Sequence, residues 1–207
     1  MATLTAFVLA AAALLATPGP TNTLLAASGA VRGIAASLPL LAAELLGYLV
    51  SINALGALIG PLLAHAPGAA TALHVAVSLY LLFVAWSLWK APAEEFAAAY
   101  PVTWAKVFVT TLLNPKAAVF AFGLAPAGTF ASVAGAAAWL PVLAPMIVAA
   151  GFLWIAIGAM ARRGLSAPAR VWYRAGAVAM VAFALVFAGR ATEVALHVTP
   201  AIVLAFA

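Results

Sequence analysis

Long apolar stretches separated by short polar ones run the length of the chain, and none alternates with a period of two. Crossing a bilayer core takes about 20 apolar residues in a helix. By that measure six stretches are predicted as spans: about 4–28, 37–63, 69–89, 105–126, 139–160 and 172–191. Lipid leaves backbone groups no partner, so a continuous apolar run must satisfy them within itself, as a helix does. A membrane barrel would alternate apolar and polar residues instead. The expectation is an all-α integral membrane protein of six transmembrane helices, with residues 1–207 as one membrane domain.

Two of these stretches are interrupted where a helix ought to continue. In the first, Thr17-Pro18-Gly19-Pro20-Thr21-Asn22 follows the apolar run Leu4 to Ala16. Each proline removes a backbone donor, and Pro18 pushes Thr17 away from the α region. In the fourth, Leu112-Leu113-Asn114-Pro115-Lys116 does the same. At 1.5 Å per residue, Pro18 lies roughly 15 Å from the end of its span near Ser28, and Lys116 roughly 15 Å from Lys106. Both breaks then fall near the middle of a core about 30 Å thick. Three spans per half is an odd number, so halves of about 4–90 and 105–191 would enter the membrane in opposite directions. Proline-interrupted segments at corresponding places in two inverted halves point to a transporter site at the midplane. A half-helix N-terminus there presents amide donors to an anion such as a carboxylate. Thr21, Asn22 and Asn114 can add side-chain hydrogen bonds, or repair the backbone the prolines disrupt.

Composition narrows the picture. Of 207 residues, 68% are hydrophobic and 6% charged, against roughly 25% charged in soluble domains. No polar stretch is long enough for a soluble domain. The net charge of +5 would suit nucleic acid, but the basic residues lie in short loops between apolar runs, so no nucleic-acid partner is expected. Seven of the nine Lys and Arg (Arg32, Lys90, Lys106, Arg162, Arg163, Arg170 and Arg174) flank one set of loops. The positive-inside rule makes that side cytoplasmic and puts both termini outside. Trp86, Trp89, Tyr100, Trp104, Trp172 and Tyr173 gather at the same interface, and Trp139 at the other. The first 27 residues lack a basic n-region and are not expected to be a cleaved signal. The tail 193–207, interrupted by Pro200, has three options: extending the sixth helix, lying in the interface, or packing between subunits.

Two ionisable residues sit well within the spans: Glu44 and Lys116. Charges at such depth cost a few kcal/mol unless paired or hydrated, and mark functional sites by default. Glu44 shares a helical face with Gly47, Tyr48 and Ser51, which makes that stripe polar; Asn53 points away. Glu44 suits a substrate ammonium or a proton, and Lys116 a substrate carboxylate. The competing reading is a Glu44–Lys116 ion pair locking two spans together, or snorkelling. His65, His74 and His197 lack metal-ligand spacing, and the chain has no cysteine, so neither a metal nor another cofactor is expected. Gly56-Ala57-Leu58-Ile59-Gly60 reads as a packing motif, and Arg190 with Glu193 as a surface pair. Polar groups are too scattered for an enzyme, and no zincin motif, nucleophile elbow or phosphate loop occurs. The many small residues permit close packing between copies in a homo-oligomer.

Thr17-Pro18-Gly19-Pro20 together with Leu113-Asn114-Pro115-Lys116-Ala117 resembles the LysE/RhtB family of amino-acid exporters. That family carries a Pro-Gly-Pro motif in its first span and Asn-Pro-Lys in a later one. The resemblance implies export of amino acids or related small metabolites across a bacterial inner membrane, driven by the proton gradient. It also implies Pro18, Gly19, Pro20, Asn114, Pro115 and Lys116 as motif positions. Here Thr21 stands where the family often has Asn or Asp, moving the asparagine to Asn22. Glu44 is not a motif position. The alternative to an exporter is a non-transporting membrane scaffold or assembly subunit.

Overall fold

The computed structural model describes residues 2–59, 66–90, 102–125, 129–164 and 169–205, and every regular element among them is helical. In chain order these are α1 (Ala2–Ala16), α2 (Pro20–Ser37), α3 (Pro39–Ala54, running on as a π turn over Leu55–Ile59) and α4 (Pro67–Trp89). Then come α5 (Trp104–Leu112), α6 (Lys116–Ala118, continuing as a π turn over Val119–Leu124), a 3-10 turn (Thr129–Ala131), α7 (Val133–Ala138), α8 (Leu140–Ala161) and α9 (Ala169–Ala205). Among the described residues, four helices are long and apolar enough to cross a membrane. The count rises to six if the bent pairs α1–α2 and α5–α6 each count as one span. Large apolar side chains such as Leu9, Leu58, Leu79, Phe83 and Leu185 stand exposed. A soluble monomer rarely carries so much open apolar surface, and a lipid-facing helix needs it.

Both proline breaks are bends: 60° between α1 and α2, and 49° between α5 and the segment from Lys116. At the first, Gly19 is the N-cap of α2 in extended backbone and Pro20 takes the first helical position, where its missing N–H costs nothing. Two boundaries differ from expectation. The first span does not stop near Ser28; α2 reaches Ser37, kinked at Gly33 with φ 78°, a left-handed value that favours glycine. The apolar stretch of the sixth span, Tyr173–Glu193, falls where expected, but its helix outruns it; α9 continues through Pro200 to Ala205, so of the three options for the tail the backbone takes the first.

The most extensive helix contacts join three pairs: α4 with α9, α2 with α8, and α3 with α5. Small residues set how closely the last two approach. In α2–α8, a Cβ on Gly29 would land on the Ile155 carbonyl, and one on Gly158 on the Ala26 carbonyl. The two backbones therefore touch, as at small-residue interfaces in membranes. In α3–α5, a Cβ on Gly47 would lie 2.7 Å from Thr111 Cβ and 3.0 Å from the Phe108 carbonyl oxygen. Ser51 Oγ also donates to the Leu112 carbonyl at 2.8 Å. The polar stripe expected around Glu44 is thus the face that α3 turns towards protein, with Gly47, Tyr48 and Ser51 all buried.

At the basic end of α4–α9, Lys90 sits 4.4 Å over the Trp86 ring and Arg174 5.2 Å over Trp89. Trp139 packs edge-on against Phe7 at 4.5 Å. Gly56 is covered by the Phe130 ring; its expected partner Gly60 lies outside the described residues, as do His65 and Tyr100. Arg190 does not pair with Glu193, which is exposed. Arg190 Nη1 donates instead to the Phe122 carbonyl at 2.7 Å. The end of the π turn leaves carbonyls without helical partners, and a guanidinium reaching across satisfies one of them.

Candidate functional site

The two breaks meet. Pro18 packs against Gly176 of α9, which places the end of α1 in the interior. Thr17 Oγ1 folds back on the Leu14 carbonyl at 2.6 Å. Asn22, one turn into α2, donates through Nδ2 to the carbonyls of Leu15 (2.9 Å) and Thr17 (2.7 Å). These are carbonyls that the proline break leaves without helical donors. Asn22 is therefore the side chain that caps α1 from the helix that follows it.

From the second break, Lys116 Nζ donates to the same Thr17 carbonyl at 2.5 Å. A cation at a helix C-terminus is favoured by the helix dipole as well as by the hydrogen bond. Lys116 runs past Gly19, where a Cβ would stand 3.3 Å from its Cε; a larger residue would press on the lysine stem. Asn114 organises the start of α6: its Oδ1 accepts from the Lys116 amide at 3.0 Å, and its Nδ2 donates to Thr21 Oγ1 at 3.0 Å. Thr111 Oγ1 gives its proton to the Val107 carbonyl at 2.8 Å. The 3.1 Å contact between the two threonine hydroxyls must then have Thr21 donating to Thr111. A directed chain runs Asn114 to Thr21 to Thr111 to the α5 backbone, entirely buried.

Replacing Asn22 by alanine removes both donors to the end of α1, though Lys116 still serves Thr17. The Leu15 carbonyl is left alone in the interior, at a cost of about 1–3 kcal/mol. The expected outcome is a thermal midpoint lowered by several degrees in detergent. Serine at this position is not expected to restore it, because its hydroxyl is too short to bridge two carbonyls.

Glu44 lies on α3 beside these breaks and is fully buried. Neither of its oxygens has a hydrogen-bond partner among the described residues. Its carboxyl packs against Gly151 of α8, where a Cβ would land on Oε2, so a glycine in the next helix makes the room. The Lys116 charge is near enough to act on Glu44 through space, but no nitrogen–oxygen contact within 4.0 Å joins them. Lys116 donates to the Thr17 carbonyl instead, and the locking ion pair considered from sequence does not form. Tyr48, one turn along from Glu44, is fully buried with its hydroxyl also unpartnered. Its ring meets Phe120 edge-on at 6.2 Å. On the far side of that aromatic pair lies a cavity of about 30 Å³ lined by Phe7, Ile52, Phe120, Phe130, Trp139 and Leu143 among others. That is about the room one water takes.

All the polar candidates read from the sequence (Thr17, Thr21, Asn22, Glu44, Tyr48, Asn114 and Lys116) are therefore buried in one interior region. Pro18, Gly19, Pro20 and Pro115 contribute by shaping the backbone there. Thr111 and Gly151 were not singled out. Thr111 looks like an ordinary helical threonine, and only its place one turn before Asn114 hinted at a role. His74 lies away from this region, its ring 5.7 Å from Phe187. No protein-family model, curated protein or solved structure matches this chain.

Proposed function

We propose that the chain is a secondary transporter that exports amino acids or related small metabolites from the bacterial cytoplasm, coupled to protons. In this reading it has six spans arranged as two inverted three-helix repeats, with both termini outside. The observation that carries it is the set of three buried oxygens without partners, two on Glu44 and one on Tyr48, beside two joined helix breaks. Buried polar groups are nearly always satisfied, so orphans at a functional suspect call for a ligand or a proton. A small amphoteric molecule would supply a counter-charge to each ionisable group of the region: an ammonium for Glu44 and a carboxylate for Lys116.

The helix pairing supports the repeat. Exchanging first and second halves turns the pair of spans one and five into the pair four and two, and leaves three with six in place. Those are the pairs observed, α2–α8, α3–α5 and α4–α9. The LysE/RhtB resemblance points to the same class through Pro18-Gly19-Pro20 and Asn114-Pro115-Lys116. Alternating access would then proceed by moving one half against the other around the breaks. A scaffold or assembly subunit is the second reading, favoured by the use of Lys116 and Asn22 on one backbone carbonyl, but it leaves Glu44 without a purpose.

Purified protein in vesicles loaded with a labelled amino-acid mixture decides between them. An imposed proton gradient should drive release of at least one compound faster than in protein-free vesicles. Release that never exceeds the protein-free rate for any compound retires the transport reading.

A further inference from the structure

The end of the bundle that carries Arg32, Arg162 and Arg163 holds a second cavity, of about 350 Å³. It opens where the α2–α8 seam ends and is lined by Gly29, Gly33, Ile34, Ala159, Met160 and the two arginines Arg162 and Arg163. Its volume corresponds to roughly ten waters at ~30 Å³ each. A Cβ on Gly33 would meet nothing within 4 Å, so the kink in α2 opens the space, and no side chain among the described residues fills it. The lining is of two kinds. Arg162 and Arg163 are exposed and, among the described residues, no carboxylate pairs with either. Among the described residues, Arg162 makes a single long contact of 3.5 Å, to the Val31 carbonyl. Beside them Val31, Ile34 and Met160 are exposed apolar side chains, at 61%, 39% and 45%.

We propose that this cleft binds an anionic phospholipid, the phosphate headgroup on Arg162 and Arg163 and the acyl chains along Val31, Ile34 and Met160. Guanidinium forks match phosphate oxygens in pairs. Basic pockets between helices at the cytoplasmic interface are the recurrent place for anionic headgroups. A free phosphate would use the arginines but leave the apolar rim in water; a lipid uses both. The seam next to the cleft is the glycine contact between α2 and α8, so a lipid seated there would clamp the two helices together. The proposal needs only that the bundle lies in a bilayer, and stands or falls apart from the transport reading.

The test is thermal unfolding of the full chain in detergent, titrated with short-chain phosphatidylglycerol, with short-chain phosphatidylcholine, and with glycerol phosphate. Phosphatidylglycerol should raise the midpoint at concentrations at least tenfold below those needed of phosphatidylcholine, with glycerol phosphate inert. Arg162→Gln with Arg163→Gln should remove that preference. Ala159→Leu, which keeps both charges and narrows the cleft, should weaken the phosphatidylglycerol response several-fold, so the result does not depend on the double variant folding. Equal responses to the two lipids would overturn the proposal, as would a full response in Ala159→Leu. Glycerol phosphate acting as well as the lipid would overturn it in favour of a soluble anion.

Discussion

Lys116→Met should stop gradient-driven flux while leaving the protein folded. Methionine keeps the unbranched apolar stem of lysine as far as its Cε, the atom that lies beside Gly19, so that passage stays filled. Thr17 loses one donor but keeps Asn22 Nδ2, so no carbonyl is orphaned and the midpoint should move little. What disappears is a charge-assisted bond across the two breaks and, among the described residues, the cation that acts on Glu44. A hydrogen bond to a charged group is worth about 1.5–3 kcal/mol, or roughly ten- to a hundredfold in substrate affinity if the lysine transfers from Thr17 to a substrate carboxylate. Flux at saturating substrate separates the roles. A pure binding role is rescued by excess substrate, whereas a lysine that also links the breaks during the cycle is not. Wild-type flux in Lys116→Met would remove it from the site.

Glu44→Gln is the companion substitution. Glutamine has nearly the same shape, so the contact with Gly151 survives. A buried carboxylate without donors costs several kcal/mol, while a protonated carboxyl or one facing an ammonium does not. Glutamine cannot alternate between these conditions. Exchange of labelled for unlabelled substrate should therefore persist in Glu44→Gln, and the proton gradient should no longer drive net export.

The joined breaks were legible because proline and glycine are the strongest punctuation a helix has, and because rise per residue converts position into depth. Pro18 and Pro115 could be placed at one level without any structure. Which atoms answer the freed carbonyls was not legible. Asn22 was equally suited to a substrate and to the backbone, and only the fold shows both its donor bonds going to Leu15 and Thr17. Arg190 misled for the opposite reason. Its neighbour Glu193 stands three residues on, a helical spacing, but the free carbonyl of Phe122 comes from a π turn that no local pattern announces. Glu44 was visible as a charge out of place, while the pocket that receives it depends on Gly151, one glycine among many small residues in an apolar helix. When nearly every face is apolar, periodicity no longer says which face meets protein and which meets lipid.

The α2–α8 seam rests on that same class of unmarked glycine, and there the expected effect of substitution is larger. Gly29→Ala and Gly158→Ala each place a methyl on a facing carbonyl oxygen. Overpacking ordinarily costs about 1–3 kcal/mol, and a backbone carbonyl cannot rotate aside as a side chain can, so each single change should reach about 3 kcal/mol. Once one methyl has separated the helices the other finds room, and the double variant should cost clearly less than the sum of the singles. Gly189→Ala is the control: a Cβ there meets nothing within 4 Å, and alanine should stabilise the helix by roughly 0.5–1 kcal/mol. If the two halves alternate, opening this seam should also expose the interior on the arginine side. Because the chain has no cysteine, Ala27→Cys, buried beside the seam, gives a single thiol. Its reaction with a water-soluble reagent should accelerate several-fold when Gly158→Ala is added. An unchanged rate, together with additive losses of stability, would mean that the seam is a fixed interface and that the moving surface lies elsewhere in the bundle.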